Sequence, residues 1–362
     1  MTLDTRARAA VQALRRSATR VDPVAGLEEL LHRRRRRRIT RAATALATAT
    51  ALALAAWVGV RGPERDALVT KPPPGSLGRV VATIPVGTSP VDVLVSEGAV
   101  WVANAAQGTV SRIDPATNTV TKTIRVGRNP VRLAAGFGSI WVANQTEQTI
   151  SRIDANTGQP LATIPLLSNL EPDQLAVGAG SVWANDSGSG VLVRIDPATN
   201  QPVVISTDWE LIAGGGLAVA GGRIWLSGRA YSGVQPIVRV NPATNRKADT
   251  VPTAADGALA VGGGSVWQAG TATQTIYRLD PRSGRKQAEI PIGVVAKYLT
   301  TADGSLWVGS DSGRVTRIDL ATNTVTGTFQ VAGPAPAVAA GHGSVWIVDT
   351  AHAALLRVQP TG

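Results

Sequence analysis

The chain has 362 residues, a net charge of +11, three His and no Cys. The missing Cys excludes disulfides, thiolate metal sites and Cys nucleophiles. Few aromatics among 38 Gly and 22 Pro, with much Ala, Val and Thr, suit many short strands joined by tight turns.

The basic excess is local. Residues 1–61 carry 13 Arg and 4 acids, whereas residues 62–362 carry 23 Lys or Arg against 21 acids. The larger part is thus nearly neutral and lacks the electrostatic footprint of a nucleic-acid binder.

Residues 1–38 read as a basic, partly helical segment. Asp4 to Arg20 is rich in Ala and Arg, with Val11 and Leu14 on a weak apolar face. Asp22-Pro23 is an N-cap and N1 pair that opens a second helix bearing Leu27, Leu30 and Leu31. That helix runs into six successive arginines, Arg33 to Arg38.

Residues 39–60 are expected to span a membrane, since Ala42 to Val60 is a 19-residue stretch without a charge. The arginine block places the N-terminus in the cytoplasm and the bulk outside. A cleavable signal peptide ending near Ala53-Leu54-Ala55 is the competing reading. A nucleic-acid patch at Arg33 to Arg38 is a third. Residues 61–78, with Pro63, Pro72, Pro73 and Pro74, read as a semi-rigid linker.

Residues 79–362 repeat. Trp101, Trp141, Trp183, Trp225, Trp267, Trp307 and Trp346 each follow a glycine by three positions, at gaps of 40, 42, 42, 42, 40 and 39 residues. That period, carried by short β-like segments, predicts an all-β, seven-bladed propeller. Blade one shows the grammar: strand A from Pro90, strand B at Ala99–Asn104, strand C from Thr109 and strand D from Thr119. The C–D turns recur as Asp114-Pro-Ala-Thr-Asn118, Asp196-Pro-Ala-Thr-Asn200 and Asn241-Pro-Ala-Thr-Asn245, where Asx caps and Pro presets φ. One acid per turn, with no D-x-D-x-D-G pattern, argues against calcium.

The last blade stops after strand C, while Val80 to Val86 has the strand-D pattern with no A to C before it. The N-terminal strand is therefore expected to complete blade seven, which removes the open edges. The tryptophans are expected to pack against the neighbouring blade.

The phrases TVSRIDPATNTVTKTI (residues 109–124) and GAVWVAN (residues 98–104) resemble the YVTN-repeat, YncE-like propellers. The repeat is also similar to the propeller of streptogramin B lyases, and the layout of basic tail, span and propeller to membrane-anchored actinobacterial propellers. The resemblance implies the fold over residues 79–362. One YncE-like protein is associated with single-stranded DNA, against which the neutral propeller argues.

Alignment on the tryptophans exposes non-repeating positions. Nine residues before each Trp lie Asp92, Arg132, Gln174, Gly216, Ala258, Tyr298 and Ala337, expected on strand A near the channel mouth. Asp92, Arg132, Gln174 and Tyr298 could hold a small polar ligand, and the first two could simply pair. Three residues after each Trp lie Asn104, Asn144, Asp186, Gly228, Gly270, Ser310 and Asp349, read as Asx-type caps of the B–C turns. Blade four breaks the pattern most: Trp209 in its D–A connection, with Arg229 and Tyr231 in a long B–C loop, form a candidate partner patch. A functionless insertion is the equal alternative.

Chemistry is scarce. A lyase of the streptogramin type needs a His base with an acidic partner from different blades. His342 sits in an A–B turn on the opposite face, and His352 alone lies on the loop-rich face. No P-loop, G-x-S-x-G, H-E-x-x-H or dinucleotide motif is present. The expected protein is a membrane-anchored, extracytoplasmic, non-catalytic module binding a protein or cell-envelope ligand, with no cofactor, no metal and no nucleic acid. The alternative is a streptogramin-lyase-like enzyme on the same fold.

Overall fold

The computed structural model describes residues 78–360, apart from 168, 187, 206–210, 214, 231–234, 254 and 332–336. The expected cytoplasmic segment, membrane span and most of the linker lie outside the described residues, as do Trp209 and Tyr231. Among the described residues no helix is long and apolar enough to cross a membrane. The described residues fall within one compact unit, Thr70–Gly362.

Seven four-stranded antiparallel sheets follow one another in that unit. Blade one comprises Pro90–Ser96, Ala99–Asn104, Thr109–Asp114 and Thr119–Arg125 as strands A to D. Blade seven draws Val338–Gly341, Ser344–Asp349 and Ala354–Pro360 from the C-terminal region and Gly78–Pro85 from the N-terminal region. Val80 pairs with Val358 and Ile84 with Leu355, so the expected closure is present.

Every A–B hairpin closes through two left-handed residues. Glu97, Phe137, Ala179, Gly221, Gly263, Asp303 and His342 take φ between 48° and 58°, each followed by a glycine. This is the turn whose twist matches paired strands. It explains the Gly three places before each Trp: a side chain there would be strained.

The tryptophans build the blade interfaces. Trp183 packs with Leu217, Ile224 and Val240 of blade four, and Trp346 with Val100 and Ile113 of blade one. Each Trp stands opposite a strand-C arginine, as Trp141 opposite Arg152. The seven guanidinium carbons lie 4.8–5.7 Å from the ring centroids. Six of those arginines, all but Arg317, also reach the next blade's C–D turn. Arg152 donates to the Pro197 carbonyl (2.6 Å) and Asn200 Oδ1 (2.9 Å). Arg357 does the same to Pro115 (2.7 Å) and Asn118 (2.9 Å), across the ring closure.

Blade six shows what happens without that turn. Strands C and D of blade seven are not joined by a C–D turn, so the Arg317 side chain keeps only Ser305 as a hydrogen-bond partner among the described residues. Trp307 is also the tryptophan whose buried Nε1 has no acceptor there. The other six donate to a carbonyl five residues upstream.

Candidate functional site

The innermost strands bring four of the predicted residues to one cavity. Asp92, Arg132, Gln174 and Tyr298, from blades one, two, three and six, all line a channel-mouth cavity of about 400 Å³. Lys297, Asp173, Thr271 and Thr300 line it as well. Gly215, Gly257 and Ala258 of blades four and five form part of the wall. A side chain at Gly257 would press on the Ala269 carbonyl (2.7 Å from its Cβ), so backbone is bare there. The channel is lopsided, with long polar side chains from some blades and bare backbone from others.

Arg132 is held by its surroundings. Its guanidinium stacks 5.1 Å from the centroid of Tyr298. Its Nη1 stands 3.6 Å from Asp92 Oδ1, and its Nε donates to the Asp173 carbonyl at 3.5 Å. Tyr298 is fixed in turn by a hydroxyl bond to the Val91 carbonyl (3.4 Å).

Asp92 is buried, and its Oδ2 accepts the Leu133 N–H at 2.7 Å from the adjacent blade. Burial pushes its pKa above the ordinary carboxylate value, against the pull of Arg132 and of backbone N–H groups. Burial likewise raises the Tyr298 phenol. The Asp92–Arg132 pair foreseen in the sequence is thus present, and the aromatic platform beneath the Arg is additional.

The B–C positions split. Asp186 Oδ1 accepts the N–H groups of Gly188 (2.9 Å) and Ser189 (3.1 Å), and Asp349 Oδ1 that of His352 (3.2 Å), as Asx caps do. Asn104 and Asn144 do something else. Their amides donate across to strand-C hydroxyls, Asn104 to Thr109 (3.1 Å) and Ser111 (3.0 Å). A buried Asn flanked by two hydroxyls finds acceptors there, and the glycine just after the closing strand leaves it room: a Cβ on Gly87 would meet the Asn104 side chain at 2.6 Å.

Blade four's irregular segments meet. Leu211–Ala213 of the D–A connection pairs antiparallel with Arg229–Ala230 of the B–C loop. The sequence placed both on one face; their joining into a ribbon carried no sequence signal.

One pairing was missed. His352 Nδ1 lies 2.8 Å from Asp349 Oδ2, with Asp349 nearly buried and the imidazole 66% exposed. His352 therefore has an acidic partner, but from its own loop and not from another blade. Neither residue lines the cavity. The signal was the D-x-x-H spacing inside the loop, hidden by reading Asp349 only as a cap. Among the described residues no group of three or more His, Asp or Glu could hold a metal ion.

The comparisons with known proteins speak to fold. No family model matches the chain, and no curated protein does. A streptogramin B lyase structure superposes with a TM-score of 0.66 at 16% identity, covering 77% of this chain and 97% of that one. Virginiamycin B lyase from Staphylococcus aureus gives 0.61 at 13% identity, over 77% and 99% of the two chains. The β-propeller domain of Cps50 (Swd1) from Myceliophteria thermophila gives 0.65 at 9%, over 78% and 100%. The chain is therefore a seven-bladed β-propeller whose structural neighbours include enzymes and non-enzymatic propellers.

Proposed function

We propose that the propeller is a non-catalytic binding module of the YVTN-repeat, YncE-like kind. It engages a protein or cell-envelope ligand at the channel mouth. The observation that carries this is the convergence of Asp92, Arg132, Gln174 and Tyr298, residues outside the repeat, on one cavity of about 400 Å³. Residues that depart from the blade consensus and converge on one cavity are what a binding site on a repeat scaffold requires. Among its ionisable lining residues Asp92 pairs with Arg132 and Arg132 stacks on Tyr298; Asp173 and Lys297 complete the set, and no His is among them.

In this reading residues 39–60 anchor the chain, and the arginines at 33–38 keep the N-terminus in the cytoplasm. A phosphatase fusion at residue 70 should be active outside the cytosol; activity confined to the cytosol contradicts the topology. Binding is tested by partner capture with the full chain carrying Arg132→Ala, Trp209→Ala or Tyr231→Ala. Loss with the first supports the channel mouth, and loss with only the other two moves the site to blade four.

The His352–Asp349 pair supports a second reading, a lyase of the streptogramin B type on the same fold. Turnover of a streptogramin B that vanishes in His352→Ala would establish it. Absence of turnover in the wild-type chain removes it.

A further inference from the structure

Arg132 is a stacked cation whose hydrogen-bonding capacity is mostly unused. Of its five donors, only Nε has a hydrogen-bond acceptor among the described residues, and that contact is long at 3.5 Å. Arg152, stacked on Trp141, instead fills Nε with Ser139 and Nη1 with Pro197 and Asn200. Asp92 does not take the place of these acceptors. It stands at ion-pair distance, 3.6 Å, and spends its other oxygen on Leu133. Asp173 offers Arg132 its backbone carbonyl and has partners of its own.

The surroundings fit a planar anion. The Tyr298 ring covers one face of the guanidinium and leaves its edge for in-plane partners. Lys297, exposed on the same strand, adds a second positive charge among the lining residues. Gly215, Gly257 and Ala258 leave clearance for a ligand's body. A guanidinium oriented in advance loses little freedom on binding.

We propose that the channel-mouth cavity binds a carboxylate, held by the Arg132 guanidinium edge and attracted by Lys297. The carboxylate belongs to a small free acid or to the C-terminus of a peptide. This rests on reading the cavity as the binding site.

The test follows the melting temperature of the full chain in detergent. Three titrants are used: sodium succinate, N-acetyl-trialanine with a free C-terminus, and its amide, all against sodium chloride at matched ionic strength. A site that binds the folded state raises Tm saturably. Succinate or the free peptide should do so, whereas chloride and the amide should not. The stronger of the two identifies the source.

Arg132→Gln should weaken binding by ~10-fold or more, the factor for one lost charge-assisted hydrogen bond. Arg132→Lys keeps the charge but loses the fork, and should also bind more weakly. Lys297→Gln should cost only a few-fold, as a rim charge does. The proposal is overturned if no carboxylate gives a saturable shift, or if Arg132→Gln, folded at the wild-type Tm, responds like wild type. Partner capture that needs Arg132 without carboxylate binding overturns the ligand chemistry and leaves the binding reading standing. Carboxylate binding with no captured partner leaves the cavity as the site and the ligand chemistry standing, and overturns only a protein as the ligand.

Discussion

The two ends of each blade follow opposite rules. At the C–D turn end nearly every blade repeats one device: a Trp, the Arg across from it, and the next blade's turn. At the channel mouth the equivalent positions hold Asp92, Arg132, Gln174, Gly216, Ala258, Tyr298 and Ala337, seven positions and six residue types. Repetition marks what every interface needs, and its absence marks contacts that differ from one interface to the next, as Asp92 with Leu133 and Tyr298 with Val91. Charge follows the same division. The turn carboxylates Asp114, Asp154, Asp196, Asp280 and Asp319 are held below the ordinary value, chiefly by backbone N–H groups. Asp92 is pushed above it by burial.

That contrast can be broken at several points. The largest effect should come from deleting residues 76–86, which removes the closing strand and exposes the edge of Ala354–Pro360. Tm should fall by roughly 10 °C or more, well beyond the share of one strand among so many. An unchanged melt would contradict closure. Next, Trp183→Ala should cost ~3–5 kcal/mol by denaturant unfolding, the range for a fully buried aromatic. A loss under 1 kcal/mol (roughly the surface-substitution scale) would show that the ring does not carry the interface.

The arginines sharpen the comparison. Arg357→Ala removes a stack, a Ser344 bond and two bonds to the next blade. Arg317→Ala removes a stack and one Ser bond. The first should cost more, by about 1–2 kcal/mol, since net hydrogen bonds contribute about 1 kcal/mol each. Equal losses would mean that the inter-blade bonds contribute nothing.

Titration should separate the two ends by sign. The turn aspartates, with lowered folded pKa, contribute stability that is present above 3.8 and lost as pH falls through their folded values. Asp92, with a raised folded pKa, acts in reverse. Its protonated form favours folding, and stability falls as pH rises from 3.8 through its folded value. Asp92→Asn should remove that decline while Asp196→Asn weakens the acid-side loss. Identical pH–stability curves for Asp92→Asn and wild type would contradict the burial account. The smallest effect is expected for Gln174→Ala, within about 0.5 kcal/mol in stability, as for surface positions without special roles.

Much of this was legible in advance because the repeat supplies its own controls. The Trp spacing set the blade count, and the surplus strand before blade one set the closure. The Asp92–Arg132 pair was legible because alignment placed both on neighbouring strands. Other features were not. The turn Asn reads as a left-handed residue, and nothing local shows that its Oδ1 faces an arginine from the preceding blade, 48 residues away for Arg152 and Asn200. The Asn104 amide looked like a cap because the sequence does not say which hydroxyls face it. The ribbon of Leu211–Ala213 with Arg229–Ala230 joins two irregular loops, where no periodicity exists to read.

The central claim is that the channel mouth is the binding surface. Hydrogen exchange of the full chain, with and without its captured ligand, tests it most directly. The account predicts new protection at residues 90–93, 130–133, 173–175 and 296–300, with the C–D turns unchanged. Protection confined to the blade-four loops, or to the C–D turn face, would contradict it.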